Sequence, residues 1–180
     1  MKKLVLVLMS VLLVFSLAAC GDGGDGGNGG AVKGETVDTT VFSVLVPDGW
    51  KSFNTSDIFD EYTDLGYDPN GLNIYKGAES DWDMFTCPGL NISYFGPDTT
   101  MLAPDKAWYE GAADLESFTT GAYTWQGFTY TIGDYGMGVI WTDSPIQLTV
   151  SLVLSSSNGS ISIDDADVQA ILASIAVDAQ

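Results

Sequence analysis

The chain contains no histidine and no arginine, and these two absences remove the commonest enzymatic chemistries. Without histidine there is no Ser-His-Asp triad, no Cys-His pair and no imidazole ligand for a metal ion. Without arginine there is no bidentate clamp for phosphate groups, and the few lysines are scattered along the sequence. The sequence therefore predicts no metal site and no cofactor, and it favours a protein that is not an enzyme.

Positive charge is scarce along the whole chain. Six lysines stand against 24 aspartates and glutamates, which gives a formal net charge of −18 at pH 7. Nucleic acid phosphates and anionic lipid surfaces repel so acidic a chain, and nucleic acid is therefore excluded as a partner. The excess of carboxylates serves either solubility at an exposed surface or the attraction of cations, basic peptides or Ca²⁺.

The N-terminal segment carries the most informative motif. Apolar or small residues fill positions 4–19 after Lys2 and Lys3, and the run ends in Leu17-Ala18-Ala19-Cys20. This arrangement resembles a bacterial lipoprotein signal peptide with its lipobox. The resemblance implies that residues 1–19 are removed, that Cys20 carries diacylglycerol through a thioether, and that its amine is often acylated, for example by palmitate. The expected location is the bacterial cell membrane, lipid-anchored and facing outside the cytoplasm.

Two other interpretations of this segment stay open. Ser16-Leu17-Ala18 is a small-x-small site that ordinary secretion would use. A retained transmembrane helix needs about 20 apolar residues, whereas this run ends after 16. The lipobox interpretation differs from both because it predicts a permanent but peripheral tether, since two or three acyl chains anchor a protein stably and one does not.

Residues 20–34 comprise the lipidated cysteine and a predicted linker. Positions 21–34 hold eight glycines and no large hydrophobic side chain, so this stretch cannot bury enough apolar surface to order itself. We predict a flexible spacer with a reach of roughly 20 Å. Residues 35–180 then suit a single globular domain with a substantial core.

Hydrophobic spacing predicts the elements of this domain. Alternation predicts strands over 41–46, 72–76, 90–95, 123–132, 137–142 and 146–154. Turns are predicted at Pro47-Asp48-Gly49, Asp68-Pro69-Asn70-Gly71 and Gly133-Asp134-Tyr135-Gly136. Helical spacing predicts a short helix within 55–65, a second over 104–115 and a closing helix capped by Asp164 or Asp165, with Val168, Ile171, Leu172 and Ile175 on its inner face.

Adjacent strands joined by tight turns, with a helix at the end, predict an α+β domain. Two segments resemble PsbP-like domains, namely the opening strand and corner Phe42-Ser43-Val44-Leu45-Val46-Pro47-Asp48-Gly49-Trp50 and the terminal helix Val168-Gln169-Ala170-Ile171-Leu172-Ala173-Ser174-Ile175. The resemblance implies an antiparallel β-sheet flanked by helices, a PsbP-like α/β/α sandwich. Both motifs are packing patterns, so they carry over no catalytic residue, and no photosystem role follows from them.

Aromatic residues among acids provide a candidate ligand-binding surface. The stretch Glu79-Ser80-Asp81-Trp82-Asp83 surrounds Trp82 with carboxylates, and we expect its ring to be exposed. Such a ring stacks on a sugar or a peptide, while Asp81 and Asp83 accept hydrogen bonds. Tyr123 and Trp125 share one strand face and offer a second surface of this kind. The other tryptophans are expected to anchor the core: Trp50, Trp108, Trp125 and Trp141.

Two classes of function follow. The first is a non-catalytic binding or accessory module, attached to the membrane through its lipid anchor, for a glycan, peptide or protein partner in the envelope. The alternative is a carboxylate-based enzyme acting on an envelope or extracellular substrate, because composition alone does not exclude a glycosidase-like acid pair. A Ca²⁺ loop from Asp68 to Glu79 fails at Leu72 and Asn73, which occupy a ligand and a glycine position. Cys87 is expected to be a small buried hydrophobic side chain.

Overall fold

Strands dominate the structure. The computed structural model describes residues 31–56, 66–96, 103–142 and 147–178, and α1 (Ala166–Ser174) is the only α-helix within these ranges. The strands are β1 (Gly34–Asp38), β2 (Phe42–Pro47), β3 (Trp50–Ser56), β4 (Tyr67–Lys76), β5 (Gly89–Tyr94), β6 (Ala113–Thr120), β7 (Tyr123–Ile132), β8 (Tyr135–Thr142), β9 (Leu148–Ser156), β10 (Gly159–Ser160) and β11 (Ala176–Val177).

These strands form two antiparallel sheets. The smaller sheet has the order β1-β2-β11, so its central strand pairs with strands from both ends of the domain. The larger sheet has the order β3-β4-β5-β9-β8-β7-β6, and β10 pairs with β9 beside this path. Ala31–Gln180 forms one compact unit. In the part of the chain that the structure describes, no helix has both the length and the apolar character needed to cross a membrane.

The core lies between the larger sheet and a layer made of β2 and α1. Strand β2 alternates, with Phe42, Val44 and Val46 buried, and α1 contributes three buried residues from one face: Val168, Ile171 and Leu172. Opposite them lie rows of apolar side chains such as Ile92, Val150 and Ile140, which neighbour one another across β5, β9 and β8. We call this side of the larger sheet its inner face.

Polar contacts fasten α1 to the strands at both helix ends. Near its start, the Asp167 carboxylate accepts a hydrogen bond of 3.1 Å from Trp50 Nε1 and lies 3.6 Å from Lys76 Nζ. Near its end, Ser174 Oγ accepts a 2.8 Å hydrogen bond from the backbone N–H of Leu45 in β2. An acidic residue in the first turn also complements the helix dipole. These polar contacts fix the position of α1 along β2, in addition to the apolar packing of its buried face.

Several sequence predictions are confirmed. The closing helix begins after Asp165 at its N-cap and buries Val168, Ile171 and Leu172 as the spacing predicted. The predicted strand over 123–132 has those bounds, and Gly133-Asp134 forms the two-residue turn into β8, with Gly133 in the left-handed region. The strands predicted near 41–46 and 90–95 are β2 and β5.

The predicted PsbP-like α/β/α sandwich is wrong. In the described ranges, helices do not flank the larger sheet on both sides. α1 packs against β2 on the inner side, and the other helical segments of these ranges are two short 3₁₀ turns. The architecture that the family resemblance implied is therefore not the one observed. The antiparallel pairing and the closing helix are present, but strands form the second layer together with α1.

The predicted helix over 104–115 is also wrong. Only Lys106–Trp108 forms a 3₁₀ turn, and the chain then enters β6. Gly111, which has low helix propensity, adopts a left-handed φ of 68°, and the following residues pair with β7. The helical spacing was carried by five residues, of which Ala107, Gly111 and Ala112 provide little packing information, and the Trp108 side chain is exposed rather than buried.

Asp68-Pro69-Asn70-Gly71 forms a bulge in β4 rather than a turn between strands. Asn54 pairs with Leu72 but the next residue, Thr55, pairs with Asp68, so Pro69, Asn70 and Gly71 have no pairing partner in β3. The Asp68 carboxylate accepts a 2.9 Å hydrogen bond from the backbone N–H of Asn70, as in an Asx turn. The predicted helix within 55–65 falls largely on 57–65, outside the described residues.

Candidate ligand-binding surface

The connection between β4 and β5 contains the first candidate site, a 3₁₀ turn at Asp81–Phe85 that we call the Trp82 turn. Its conformation depends on Asp83. One oxygen of the Asp83 carboxylate accepts hydrogen bonds from the backbone N–H groups of Glu79 and Ser80, each at 2.8 Å. The backbone carbonyl of Asp83 accepts from the N–H groups of Thr86 and Cys87 at 2.9 and 2.7 Å. Asp83 therefore holds both sides of the turn.

This environment keeps Asp83 ionised. The N–H groups of Ser80 and Glu79 stabilise its charged form and lower the pKa of the Asp83 carboxyl below its ordinary value, and the positive charge of Lys51 acts in the same direction. Asp83 was predicted to accept hydrogen bonds from a ligand, but the structure turns its carboxylate towards the backbone. Asp81, also predicted, is exposed at the surface of the turn.

The Trp82 turn presents aromatic rings to solvent. Trp82 is 75% exposed and Phe85 is 59% exposed, and their ring centroids lie 6.3 Å apart. Met84, between them, is also exposed. Exposure of several large apolar side chains on one short, braced segment is typical of an interaction surface. The predicted exposure of Trp82 is confirmed.

A hydrogen bond links the Trp82 turn to the β7–β8 hairpin. Tyr135, the first residue of β8, donates a hydrogen bond from its hydroxyl to the backbone carbonyl of Phe85 at 3.4 Å. Ile132, its cross-strand partner in β7, is exposed, as is Asp134 in the turn. The aromatic pair therefore stands beside an exposed hairpin tip, and the whole surface is rimmed by carboxylates.

The other predicted tryptophans differ in their environments. Trp50 and Trp125 are buried in the core, and Trp141 is half-buried. Tyr123 meets the Trp125 ring edge to face at 6.0 Å on the inner face of the sheet, so this pair cannot serve as an external stacking surface. The prediction that Trp108 anchors the core is wrong, because its side chain is 82% exposed on the short 3₁₀ turn at Lys106–Trp108.

That turn, which we call the Trp108 turn, borders a groove that the sequence did not reveal. The groove has a volume of about 320 Å³ and lies on the outer face of the larger sheet, the side opposite the core. Phe128 and Trp141 from β7 and β8 line it, together with Gln126. Lys106 of the turn and Asp114 of β6 form an ion pair at its wall.

No sequence signal joins these groove residues. They come from four separate segments, and only the register of β6, β7 and β8 brings them together: Asp114 lies opposite Phe128, and Gln126 lies opposite Trp141. The alternation of β7 does show that Gln126 and Phe128 point to the same side as each other. It does not show which segment covers that side.

The described residues show no metal-binding cluster and do not include the predicted lipidation site. Nowhere in the four described ranges do three or more aspartate, glutamate or cysteine side chains gather where they would hold a metal ion. Cys87 is buried and unbridged. Cys20, the predicted lipidation site, lies outside the described residues, and its lipidation stays a prediction.

Comparisons with protein-family models, curated proteins and solved structures find no match to this chain.

Acidification is expected to open the Trp82 turn. The folded turn lowers the pKa of Asp83, so the Asp83 carboxylate stabilises the turn fully when the pH lies above the ordinary carboxyl range. This stabilisation is lost as the pH falls through the lowered pKa. In a pH titration followed by NMR, the amide signals of Glu79 and Ser80 should move with a midpoint below 3.8, the ordinary aspartate value.

Asp83→Asn should abolish this transition, whereas Asp81→Asn, which removes the exposed neighbouring carboxylate, should preserve it. A midpoint at or above the ordinary carboxyl value in the unmodified protein would show that the two backbone hydrogen bonds do not hold the turn.

Proposed function

We propose that this protein is a non-catalytic binding module that operates outside the cytoplasm, anchored through lipid on Cys20 and carried by the glycine-rich stretch that precedes β1. One observation carries the binding role: the exposed Trp82–Phe85 pair on a turn whose backbone is braced by Asp83. A rigid segment that holds large aromatic rings in water gains free energy when a partner covers them.

The shape of this surface favours a protein partner. Trp82 is 75% exposed, so most of its ring is available to enter a depression on another molecule. Aromatic side chains that enter pockets of a partner are the usual centres of binding energy in protein interfaces. We propose that a partner protein of the envelope supplies the matching depression.

The charge around Trp82 indicates what the partner carries. Glu79 and Asp81 are exposed beside the ring, and Asp134 is exposed at the neighbouring hairpin tip. A segment with lysines or arginines would complement these carboxylates, and its cations could also lie over the Trp82 face. The chain's net charge of −18 disfavours a second copy of this chain as the partner.

The carboxylate-based enzyme has less support. A general acid needs a raised pKa so that it is protonated near neutral pH, whereas the pKa of Asp83 in the Trp82 turn is lowered. No observed feature favours this alternative over a binding module.

Trp82→Ala is the direct test of the proposed function. The full-length protein in mild detergent is titrated against an array of basic peptides that contain aliphatic or aromatic residues, with acidic peptides of matched hydrophobicity beside them. We expect Trp82→Ala to weaken binding to the basic peptides about tenfold or more and to shift the melting temperature by less than about 2 °C, because the side chain is largely exposed. Binding should also weaken as ionic strength rises.

Trp108→Ala is the matched control, since it removes another highly exposed tryptophan from a short turn. It should leave peptide binding unchanged. Equal losses in both variants, or unchanged binding in Trp82→Ala, would remove the Trp82 turn as the contact surface. A fall of several degrees in the melting temperature of Trp82→Ala would show instead that this ring supports the fold.

A further inference from the structure

The groove beside the Trp108 turn has a different character from the Trp82 turn. It is concave, and its volume of about 320 Å³ lies at the lower end of the range of about 300–1,000 Å³ found for small-molecule sites. A site of this size takes a ligand of one or two small rings. It lies on the outer face of the sheet, so a ligand could enter without any movement of the core.

The floor of the groove is aromatic and fixed in orientation. The Trp141 and Phe128 rings pack at an interplanar angle of 72°, with centroids 6.1 Å apart, and the centroid of the Tyr109 ring lies 5.4 Å from that of Phe128. Phe128 is buried by these contacts, whereas Trp141 is half-buried and retains accessible surface. The Trp141 indole is therefore a partly accessible flat surface held by a rigid neighbour.

The walls of the groove provide hydrogen-bonding groups whose charges are largely balanced. Lys106 Nζ donates to the Asp114 carboxylate, so the cation and the anion neutralise each other. Asp105, a further carboxylate at the groove, already accepts a 2.9 Å hydrogen bond from the backbone N–H of Ala107. Gln126 adds an exposed amide that can both donate and accept.

A β-bulge in β6 contributes to this composition. Leu115 pairs with Gly127 and Phe118 pairs with Trp125, so Glu116 and Ser117 together oppose Gln126. The additional residue returns Phe118 to the core side, and Ser117 rather than Glu116 lines the groove. The bulge therefore places a neutral hydroxyl where regular alternation would place a carboxylate.

We propose that this groove binds a neutral saccharide, with Trp141 stacking on the C–H face of one sugar ring. Gln126, Ser117 and the Lys106–Asp114 pair then exchange hydrogen bonds with the ring hydroxyls, which both donate and accept. A phosphate-bearing ligand fits poorly, since the one lysine of the groove is paired with Asp114. A purely apolar ligand also fits poorly, because it would separate the Gln126 amide from water and offer it no hydrogen bond.

NMR of the full-length, ¹⁵N-labelled protein tests this assignment. The probes are tetrasaccharides of β-linked glucose, α-linked glucose, N-acetylglucosamine and mannose, added in a zwitterionic detergent that contains no sugar headgroup. At least one probe should cause a saturable shift of the indole N–H signal of Trp141, which is identified by its loss in Trp141→Phe. The Trp82 signal should stay in place.

Five variants, whose affinities are measured from the backbone amide signals of the groove residues, distinguish binding from folding. Trp141→Leu should weaken affinity at least tenfold, whereas Trp141→Phe, which keeps a flat ring, should retain part of it. Gln126→Ala and Asp114→Asn alter exposed side chains and should each weaken affinity several-fold with little change in melting temperature. Trp82→Ala should bind the probe as the unmodified protein does.

The proposal is overturned if no probe shifts the Trp141 signal up to about 10 mM. It is equally overturned if Gln126→Ala, Asp114→Asn and Trp141→Leu all retain full affinity, or if the shifts fall on Trp82 instead. Because the peptide test relies on Trp82 and this one relies on Trp141, failure of either leaves the other result interpretable.

Discussion

Ile171→Asp is expected to unfold the domain. Ile171 is fully buried on the inner face of α1, among apolar residues of β2 and the larger sheet. The substitution removes a large buried aliphatic group and places a carboxylate among apolar side chains, which cannot solvate it. The combined loss should be about 5 kcal/mol or more, which is comparable to the whole stability of many domains. Thermal melting followed by circular dichroism measures it.

Ala166→Asp is the matched control, because it introduces the same charge at an exposed position in the first turn of the same helix. Its effect should stay within about 0.5 kcal/mol, since negative charge is tolerated near a helix N-terminus. Ile171→Val should fall between the two, at about 1 kcal/mol. Melting temperatures within a few degrees of each other for Ile171→Asp and Ala166→Asp would contradict the packing of α1 described above.

Cys20→Ser should release the protein from the membrane. If the anchor is lipid on the Cys20 sulfur, serine cannot form the thioether, and the acyl chains that hold the protein are absent. In detergent phase partition of whole cells, the unmodified protein should enter the detergent phase. The Cys20→Ser protein should appear in the aqueous phase or remain as an unprocessed precursor.

Cys87→Ser controls for the loss of a thiol, because Cys87 is the other cysteine of the chain and is buried in the folded domain. It should keep the protein in the detergent phase. The same experiment separates the open interpretations of residues 1–20. A retained transmembrane helix would keep both the unmodified protein and Cys20→Ser in the membrane at their full, unprocessed mass, and cleavage after Ala18 would release both proteins.

The sequence was most informative where side chains alternate strongly or recur at full helical spacing. Large aliphatic residues in β2 and α1 identified both elements, because burying them requires one particular face. The segment 104–115 was misleading because alanine and glycine, which fit either a helix or a loop, fill three of the five positions of its helical spacing. There, the pairing of β6 with β7 decided the outcome, and pairing partners distant in the chain are invisible to local spacing.

The candidate sites also combine features that the local sequence predicts with features that depend on strand pairing. Exposure of Trp82 was predictable from its acidic neighbours. The backbone role of Asp83 was missed, although Ser80 and Asp83 have the spacing of a capping box. The groove at Trp141 was missed entirely. Its residues become neighbours through strand register and through one bulge, neither of which leaves a mark in a single sequence.

The pairing of β2 with β11 ties completion of the core to the last part of the chain. Phe42 lies opposite Val177, and the hydrogen bond between Leu45 and Ser174 joins residues 129 positions apart. Contacts so distant form slowly, because the intervening chain must lose its freedom first. A nascent chain therefore cannot complete this pairing, or place α1 over the inner face of the larger sheet, until synthesis has passed residue 177.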